Sequence, residues 1–248
     1  MNVFNIFTLF PDMFKALDFG ITGIAKENML ISVNTVNIRD FSLDKHKKVD
    51  DYTYGGGFGM LMSCQPVFDA FKSVKPAHTI YMSPKGSLLT QKRAMELSGI
   101  NDINILCGHY EGIDQRIIDE LIDEELSCGD YVVTGGELPA MILIDCISRM
   151  IKGVLPQEES YINESHFDGL LECAQYTRPE VFEGHQVPEI LLSGHHKNIE
   201  DFRLSQSILF TYNSRPDMLA KRKLSKTEYK VFISYFPELK DAIIKFVN

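Results

Sequence analysis

Residues 78–122 read HTIYMSPKGSLLTQKRAMELSGINDINILCGHYEGIDQRIIDELI. Two short apolar runs, His78–Met82 and Ile103–Cys107, each lead into a polar, glycine-containing turn and then into a segment of helical spacing, Thr90–Leu97 and Ile113–Ile122. That alternation predicts βαβ units: a largely parallel sheet with helices on both faces. Upstream, Val3–Phe10 is apolar and β-prone. Pro11 can open a helix that carries Met13, Phe14 and Leu17 on one side, and Leu30–Ile38 alternates like a strand. Asp40–Gly59 loses all periodicity, and Gln65–Val74 regains a helical one. Downstream, Tyr131–Val133 reads as a short strand. Glu137–Ile151 reads as a helix apolar on nearly every face, which predicts burial.

Gly153–Pro179 is polar and turn-rich, and too long for an idle connection inside a compact domain. It is read as an interdomain linker. Beyond it, Ile199–Thr211 and Lys226–Val247 have helical spacing and are separated by Arg215-Pro216, so the chain is expected to end in a small helical module.

The whole is 248 residues, 44% apolar and 24% charged, which is ordinary for a globular chain. No apolar run approaches the roughly 20 residues of a membrane span, and Met1–Leu9 lacks a basic n-region, so a cytoplasmic protein is expected. Five cysteines, Cys64, Cys107, Cys128, Cys146 and Cys173, are widely spaced without any C-x-x-C, which points to reduced thiols in place of disulfides or a zinc cage. The net charge of −9 speaks against nucleic acid, but the charges are unevenly spread. Residues 1–173 carry 14 basic against 25 acidic side chains, and 174–248 carry 11 against 9. Lys221, Arg222, Lys223, Lys226 and Lys230 lie in that second segment, and Lys45-His46-Lys47-Lys48 is a basic knot in the first. Solvated surface charge is the competing explanation.

Common cofactor signatures fail. The string Tyr54-Gly55-Gly56-Gly57-Phe58-Gly59-Met60 holds no G-x-G-x-x-G and follows an irregular stretch. There is no Walker lysine, H-E-x-x-H or G-x-S-x-G. His109-Tyr110-Glu111 lacks the P-C-x-x-C that a zinc deaminase requires, and His195-His196 has no further ligands at suitable spacing. Three polar segments remain, after or beside short strands: Ser83-Pro84-Lys85-Gly86, then Gly108 to Asp114, then Gly129-Asp130 with Thr134 to Pro139. The crevice outside strand carboxyl ends is where open α/β sheets bind ligands, and glycines there admit a close backbone approach, as an adenine edge and a ribose require. Ordinary βα turns are the alternative.

The strings Gly55 to Met60, Cys107-Gly108-His109-Tyr110-Glu111-Gly112-Ile113-Asp114, Gly129 to Ala140 (GDYVVTGGELPA) and Tyr176-Thr177-Arg178-Pro179-Glu180 closely resemble the bacterial tRNA (guanine-N1)-methyltransferases of the SPOUT class, the TrmD family, which act on guanosine 37. The likeness runs from Phe7 to about Pro216. It implies an α/β fold with a SPOUT-type parallel sheet and a deep C-terminal trefoil knot, plus a small all-α C-terminal domain. Periodicity alone reveals no knot. It further implies a domain order of 1–158 for S-adenosylmethionine, 159–173 for a linker with the catalytic carboxylate, and 174–248 for tRNA, in an obligate homodimer with composite active sites.

By the same resemblance the cofactor lies against Tyr81, Met82, Ser83, Pro84 and Gly86, against Gly108, Tyr110, Glu111 and Gly112, and against Cys128, Gly129, Asp130, Tyr131, Val132, Val133, Gly135, Gly136, Leu138 and Pro139. Asp50, Gly55, Gly56, Gly57, His109, Ser165 and Arg178 fall on substrate-binding positions. Guanine N1 becomes nucleophilic on losing its proton, so a base and a cation near O6 are needed. The family's base is an aspartate in a D-S-F string. Glu164 occupies that position in Asn163-Glu164-Ser165-His166-Phe167-Asp168, and Asp168 is the alternative if the loop registers differently. Arg149 is placed near the reacting guanine, with an Asp145 salt bridge as its structural alternative. The family's Mg²⁺ would share the O6 charge, with its position unknown, and Glu111 is read as orienting substrate or cofactor. His109 stands where many relatives have arginine, so a contact made there becomes pH-dependent. The rival readings are a non-catalytic RNA-binding protein on a degenerate fold and a SPOUT enzyme with another RNA target.

Overall fold

The computed structural model describes residues 1–57, 59–157, 161–162 and 164–248. Phe58 and Asn163 of the strings above, and the domain boundary drawn after residue 158, lie outside the described residues. The chain forms two compact units, Met1–Glu158 and Glu159–Asn248.

The first unit runs β1 (Asn2–Thr8), a 3-10 helix (Pro11–Asp18), α1 (Gly20–Glu27), β2 (Ile31–Asn37), β3 (Asp50–Tyr52), β4 (Met60–Met62), α2 (Cys64–Lys72), β5 (His78–Leu88), α3 (Gln91–Ser98), β6 (Asp102–Cys107), α4 (Gln115–Leu121), β7 (Glu124–Ser127) and α5 (Glu137–Ser148). Five strands form one parallel sheet in the order β2-β1-β6-β5-β7, and β3 pairs with β4 as a separate antiparallel ribbon. Period-two alternation sorts the side chains by face. Ile6, Ile105 and Ile80 make one register row, and they pack with Leu97 of α3 and Leu143, Ile144 and Ile147 of α5. The next row, Phe7, Leu106 and Tyr81, faces the other way, toward Val67 and Ala70 of α2 and Ile117 of α4.

This strand order decides which helix covers which face. The chain steps from β5 to β6 in one direction and from β6 to β7 in the other, crossing back over β5. Right-handed crossovers then demand helices on opposite faces, which is how α3 and α4 lie. The same order sets the carboxyl ends of β6, β5 and β7 side by side.

Two sequence expectations for the first unit need correction. Tyr131–Val133 is not a strand. The edge position beside β5 is taken by β7, paired from Ile80↔Glu124 to Leu88↔Ser127, so Tyr131, Val132 and Val133 lie exposed in the following loop. Strand β7 escaped notice because Glu124-Glu125 carries two carboxylates, and Glu124 is matched by Arg93 (Nε to Oε1, 2.9 Å). Helix α5 is only half covered: Leu143, Ile144 and Ile147 are buried, whereas Leu138 and Ile142 are 51% and 45% exposed.

The second unit contains β8 (Val181–Phe182), β9 (His185–Gln186), α6 (Glu189–Leu192), α7 (His196–Ser214), α8 (Pro216–Arg222), α9 (Lys226–Tyr235) and α10 (Lys240–Ile243). It is therefore not all-α: Glu183-Gly184, both with positive φ (50° and 81°), turn β8 into β9 as a two-residue hairpin. The single helix expected over Lys226–Val247 is broken after Tyr235, where Pro237 cannot continue it. Leu170, from the stretch read as linker, joins Ile208, Leu219, Leu224, Phe232, Ile243 and Phe246 in this unit's core.

Two outcomes follow from the first unit's packing. Ile105→Ala, at the centre of the fully buried row, should cost about 2–5 kcal/mol in urea unfolding. For Glu124, burial alone would raise the carboxyl, but hydrogen bonds with Arg93 and His78 outweigh it and hold the group below the usual carboxylate range. Stability from a depressed carboxyl is present above the unfolded pKa of about 4.3 and is lost as pH falls through the folded value. Wild type and Glu124→Gln should therefore differ in unfolding midpoint at neutral pH and converge as the pH falls through the folded carboxyl's lowered value.

Candidate active site

A cavity of about 440 Å³ opens at the carboxyl ends of β5, β6 and β7, a size usual for a small-molecule site. Each of the three polar segments singled out in the sequence supplies part of its wall. Tyr81, Met82, Ser83, Pro84 and Lys85 come from β5, where the register with β7 shifts between Met82 and Ser87 and the strand bulges. Gly108, His109, Tyr110, Glu111 and Gly112 follow β6. Cys128, Gly129, Tyr131, Val132, Val133, Thr134, Gly135, Gly136 and Pro139 lie between β7 and α5.

Backbone contacts hold these segments together. The Gly136 N–H donates to the Gly108 carbonyl at 2.9 Å, and a Cβ on Gly136 would stand 2.7 Å from Cys107 Cα and 2.9 Å from Gly108 N. Only glycine permits this approach. The next residue, Glu137, is 3% exposed in the first turn of α5, where the helix dipole favours a carboxylate, and it accepts from Thr8 Oγ1 at 2.8 Å. Thus the end of β1, the end of β6 and the start of α5 meet at one point. Ser127 Oγ donates to the Gly129 carbonyl (2.9 Å), and Cys128 Sγ donates to that of Pro139 (3.7 Å).

The wall is polar where it matters. His109 Nδ1 and Glu125 Oε2 are buried with no hydrogen-bond partner among the described residues, which leaves two polar atoms for a ligand to satisfy. Burial, and then the nearby Glu125 carboxylate, push the Tyr81 phenol up to about 12, so it stays a neutral donor throughout the physiological range.

Glu111 joins this cavity to the glycine-rich loop. Its N–H donates to the Met60 carbonyl (3.1 Å), Met62 N–H donates to the Gly112 carbonyl (3.0 Å), and Leu61 of β4 lines the cavity. Gly55, Gly56, Gly57 and Gly59 all have left-handed φ, between +78° and +139°, and a side chain on Gly59 would run into that of Glu111. Asp50 sits in β3 opposite Met62, and Asp51 lies 3.8 Å from Lys48.

Not every expected residue reaches the wall. Gly86 instead lets β5 pass the backbone of Glu125 and Leu126, while Asp130 and Leu138 are exposed beside the cavity. Asp50 and Gly55–Gly57 are outside the lining. Arg149 caps the carboxyl end of α5, half-buried, with its backbone N–H on the Asp145 carbonyl (3.2 Å). Glu164, Ser165 and Arg178 belong to the second unit. There Ser165 Oγ accepts from Glu172 N–H (2.9 Å). Asp168 is committed to structure: Oδ1 accepts from Leu170 N–H (3.0 Å) and its carbonyl accepts from Arg222 Nε (2.7 Å). Sequence reading missed Leu61, Gln115, Ile118, Glu125, Leu126 and Ser127 on the wall. The last three stand on β7, so recognising that strand was the signal.

The family profile described as tRNA (guanine-1)-methyltransferase TrmD matches residues 1–221. The chain belongs to this family. It is 59% identical over 225 residues to the tRNA (guanine-N(1)-)-methyltransferase of Ruminiclostridium cellulolyticum, covering 88% of this chain and 96% of the relative. The proteins of that name from Alkaliphilus metalliredigens and Clostridium perfringens are 54% and 52% identical, over 90% and 93% of this chain and 94% and 98% of theirs. In this methyltransferase the strings G-H-Y-E-G-I-D and T-G-G-E-L-P-A each supply part of the cavity wall. Gly136→Ala should lower the thermal midpoint by several degrees, since about 1–3 kcal/mol of overpacking falls on backbone that cannot rotate away; differential scanning calorimetry reads it directly.

Proposed function

We propose that this protein transfers a methyl group from S-adenosylmethionine to N1 of guanosine 37 in tRNA. The observation that carries the reading is the cavity: three glycine-bearing segments of a methyltransferase family converge on it, with two orphaned polar atoms, His109 Nδ1 and Glu125 Oε2, on its wall. These residues fit a nucleoside cofactor, because backbone N–H and C=O groups around Cys128–Gly129 and Gly135–Gly136 suit an adenosine and the Tyr81–Pro84 and Gly108–Gly112 segments suit its tail. S-adenosylmethionine, when bound, supplies an electrophilic methyl on a sulfonium.

The chain's own groups do the rest. Glu164 removes the N1 proton, Arg149 stabilises the charge that gathers on O6, and Glu111 orients the substrate. Glu164 is preferred to Asp168 because it occupies the position of the family's aspartate and keeps its chemistry with one more methylene; Asp168 Oδ1 accepts from the Leu170 N–H. Among the described residues no group of three or more His, Cys, Asp or Glu could hold a metal ion, so no step is assigned to the family's Mg²⁺. Lys221, Lys223, Lys226 and Lys230 give phosphate contacts that position the RNA without reading it.

The enzyme is inferred to work in the cytoplasm as a homodimer in which the carboxylate of one subunit completes the site of the other. Exposed Phe19, Ile21, Ile24, Leu138 and Ile142 on the first unit support an apolar partner surface. The family's trefoil knot is proposed for the path through residues 108–139, supported by the return of Gly136 against Gly108.

Mapping the methylated nucleotide on tRNA transcripts tests the reading; modification at any other position moves it to a SPOUT enzyme with another target. Glu164→Gln should lower turnover by about 10²–10⁴-fold with cofactor affinity unchanged, while Glu164→Asp keeps much of the activity. A dead Asp168→Asn beside an active Glu164→Gln would shift the base to Asp168. In verified heterodimers, Arg149→Ala with Glu164→Gln should restore one of the two sites.

A further inference from the structure

Tyr54 is fully exposed and Tyr52 is 78% exposed, and they flank Thr53 at the start of the glycine-rich loop. Large aromatic rings left in water two residues apart are uncommon, and Tyr54 has no ring or hydrogen-bond partner among the described residues. The loop they open hangs from the β3–β4 ribbon, whose other strand is bonded to Glu111 and Gly112 and contributes Leu61 to the cavity wall. Tyr52 and Tyr54 therefore stand on a segment joined directly to that wall. Just before the ribbon come Lys45, Lys47 and Lys48. Lys47 is paired with Asp40 (2.9 Å), Lys48 lies 3.8 Å from Asp51, and its Nζ lies 5.9 Å from the centre of the Tyr52 ring. With those lysines half neutralised, phosphate attraction is weak here and the aromatic faces are the dominant feature.

A guanine whose N1 is to be methylated must leave its stack, because neither neighbour contact nor pairing leaves that edge accessible inside a cavity. The nucleotides beside it then lose a stacking partner each. Single-stranded nucleic acid is held without sequence preference by aromatic side chains on which bare bases stack. We propose that Tyr54, with Tyr52 beside it, is the platform on which an unpaired nucleobase neighbouring the target guanine stacks. This rests on the tRNA reading above and makes Tyr54 a positioning residue for the RNA.

The test uses the full-length dimeric enzyme and tRNA transcripts carrying 2-aminopurine on either side of the target guanosine. Wild type should quench that fluorophore, Tyr54→Phe should quench it equally, and Tyr54→Ala should not. Tyr54→Ala should raise the KM for tRNA about tenfold with kcat within about twofold, as loss of one stacked base would. S-adenosylmethionine affinity by calorimetry should be unchanged, which separates this effect from misfolding. Wild-type KM and full quenching in Tyr54→Ala, with tRNA methylated normally by wild type, would overturn the stacking platform alone. Full quenching together with an altered sedimentation coefficient would overturn it in favour of a subunit contact. A wild type that methylates no tRNA would remove both this inference and the reading beneath it.

Discussion

Gly136 has no room for a side chain, and much of the cavity depends on that. Its N–H reaches the Gly108 carbonyl because nothing stands between the start of α5 and the last residue of β6. The contact sets the depth at which α5 enters and so where Ala140, Leu143, Ile144 and Ile147 meet the sheet. It also turns Glu137 inward, where Thr8 Oγ1 donates to it from the end of the interior strand β1. A buried carboxylate is costly unless hydrogen-bonded. Here the bond from Thr8 and the helix amino terminus meet that cost, and they pin two loops that would otherwise be separate turns.

Legibility of the fold followed the physics of each element. The strands β1, β5 and β6 were readable from their buried apolar runs, the edge strand β2 from its alternation, and the helices between them because a half-buried helix must repeat at 3.6 residues. β7 was not, because its edge position lets Glu124 and Glu125 serve in a ladder while Leu126 alone points into the main core. The β-prone Tyr131–Val133 misled for the converse reason: propensity describes a residue's fit to a pleated surface, and no ladder edge was left for it. At the site, glycines after strands located the cavity, but its wall also drew on β7 and α4. Gln115 and Ile118 enter through helix packing that no local string encodes.

The second unit gives the linker a different character from the one its composition suggests. Polar, turn-rich sequence reads as a tether, yet Leu170 is buried in the helical core and Leu171 N–H donates to Thr211 Oγ1 of α7 at 2.8 Å. Arg222 secures the turn from α8: it bonds the Asp168 carbonyl and also Glu228 (2.6 Å), whose partner Ser225 completes the capping box of α9. Of the two carboxylates near one another in sequence, Asp168 is thereby spent on architecture.

The four left-handed glycines at 55, 56, 57 and 59 cost more backbone entropy to order than any other residues would. Among the described residues their loop contributes no side chain to the main apolar clusters, and its order is borrowed from the three backbone hydrogen bonds that sew β4 to the segment Glu111–Asp114. Amide protons at Glu111 and Met62 therefore sit at the join of cavity floor and glycine-rich loop, and their exchange with solvent is expected to be a single opening event shared by the two.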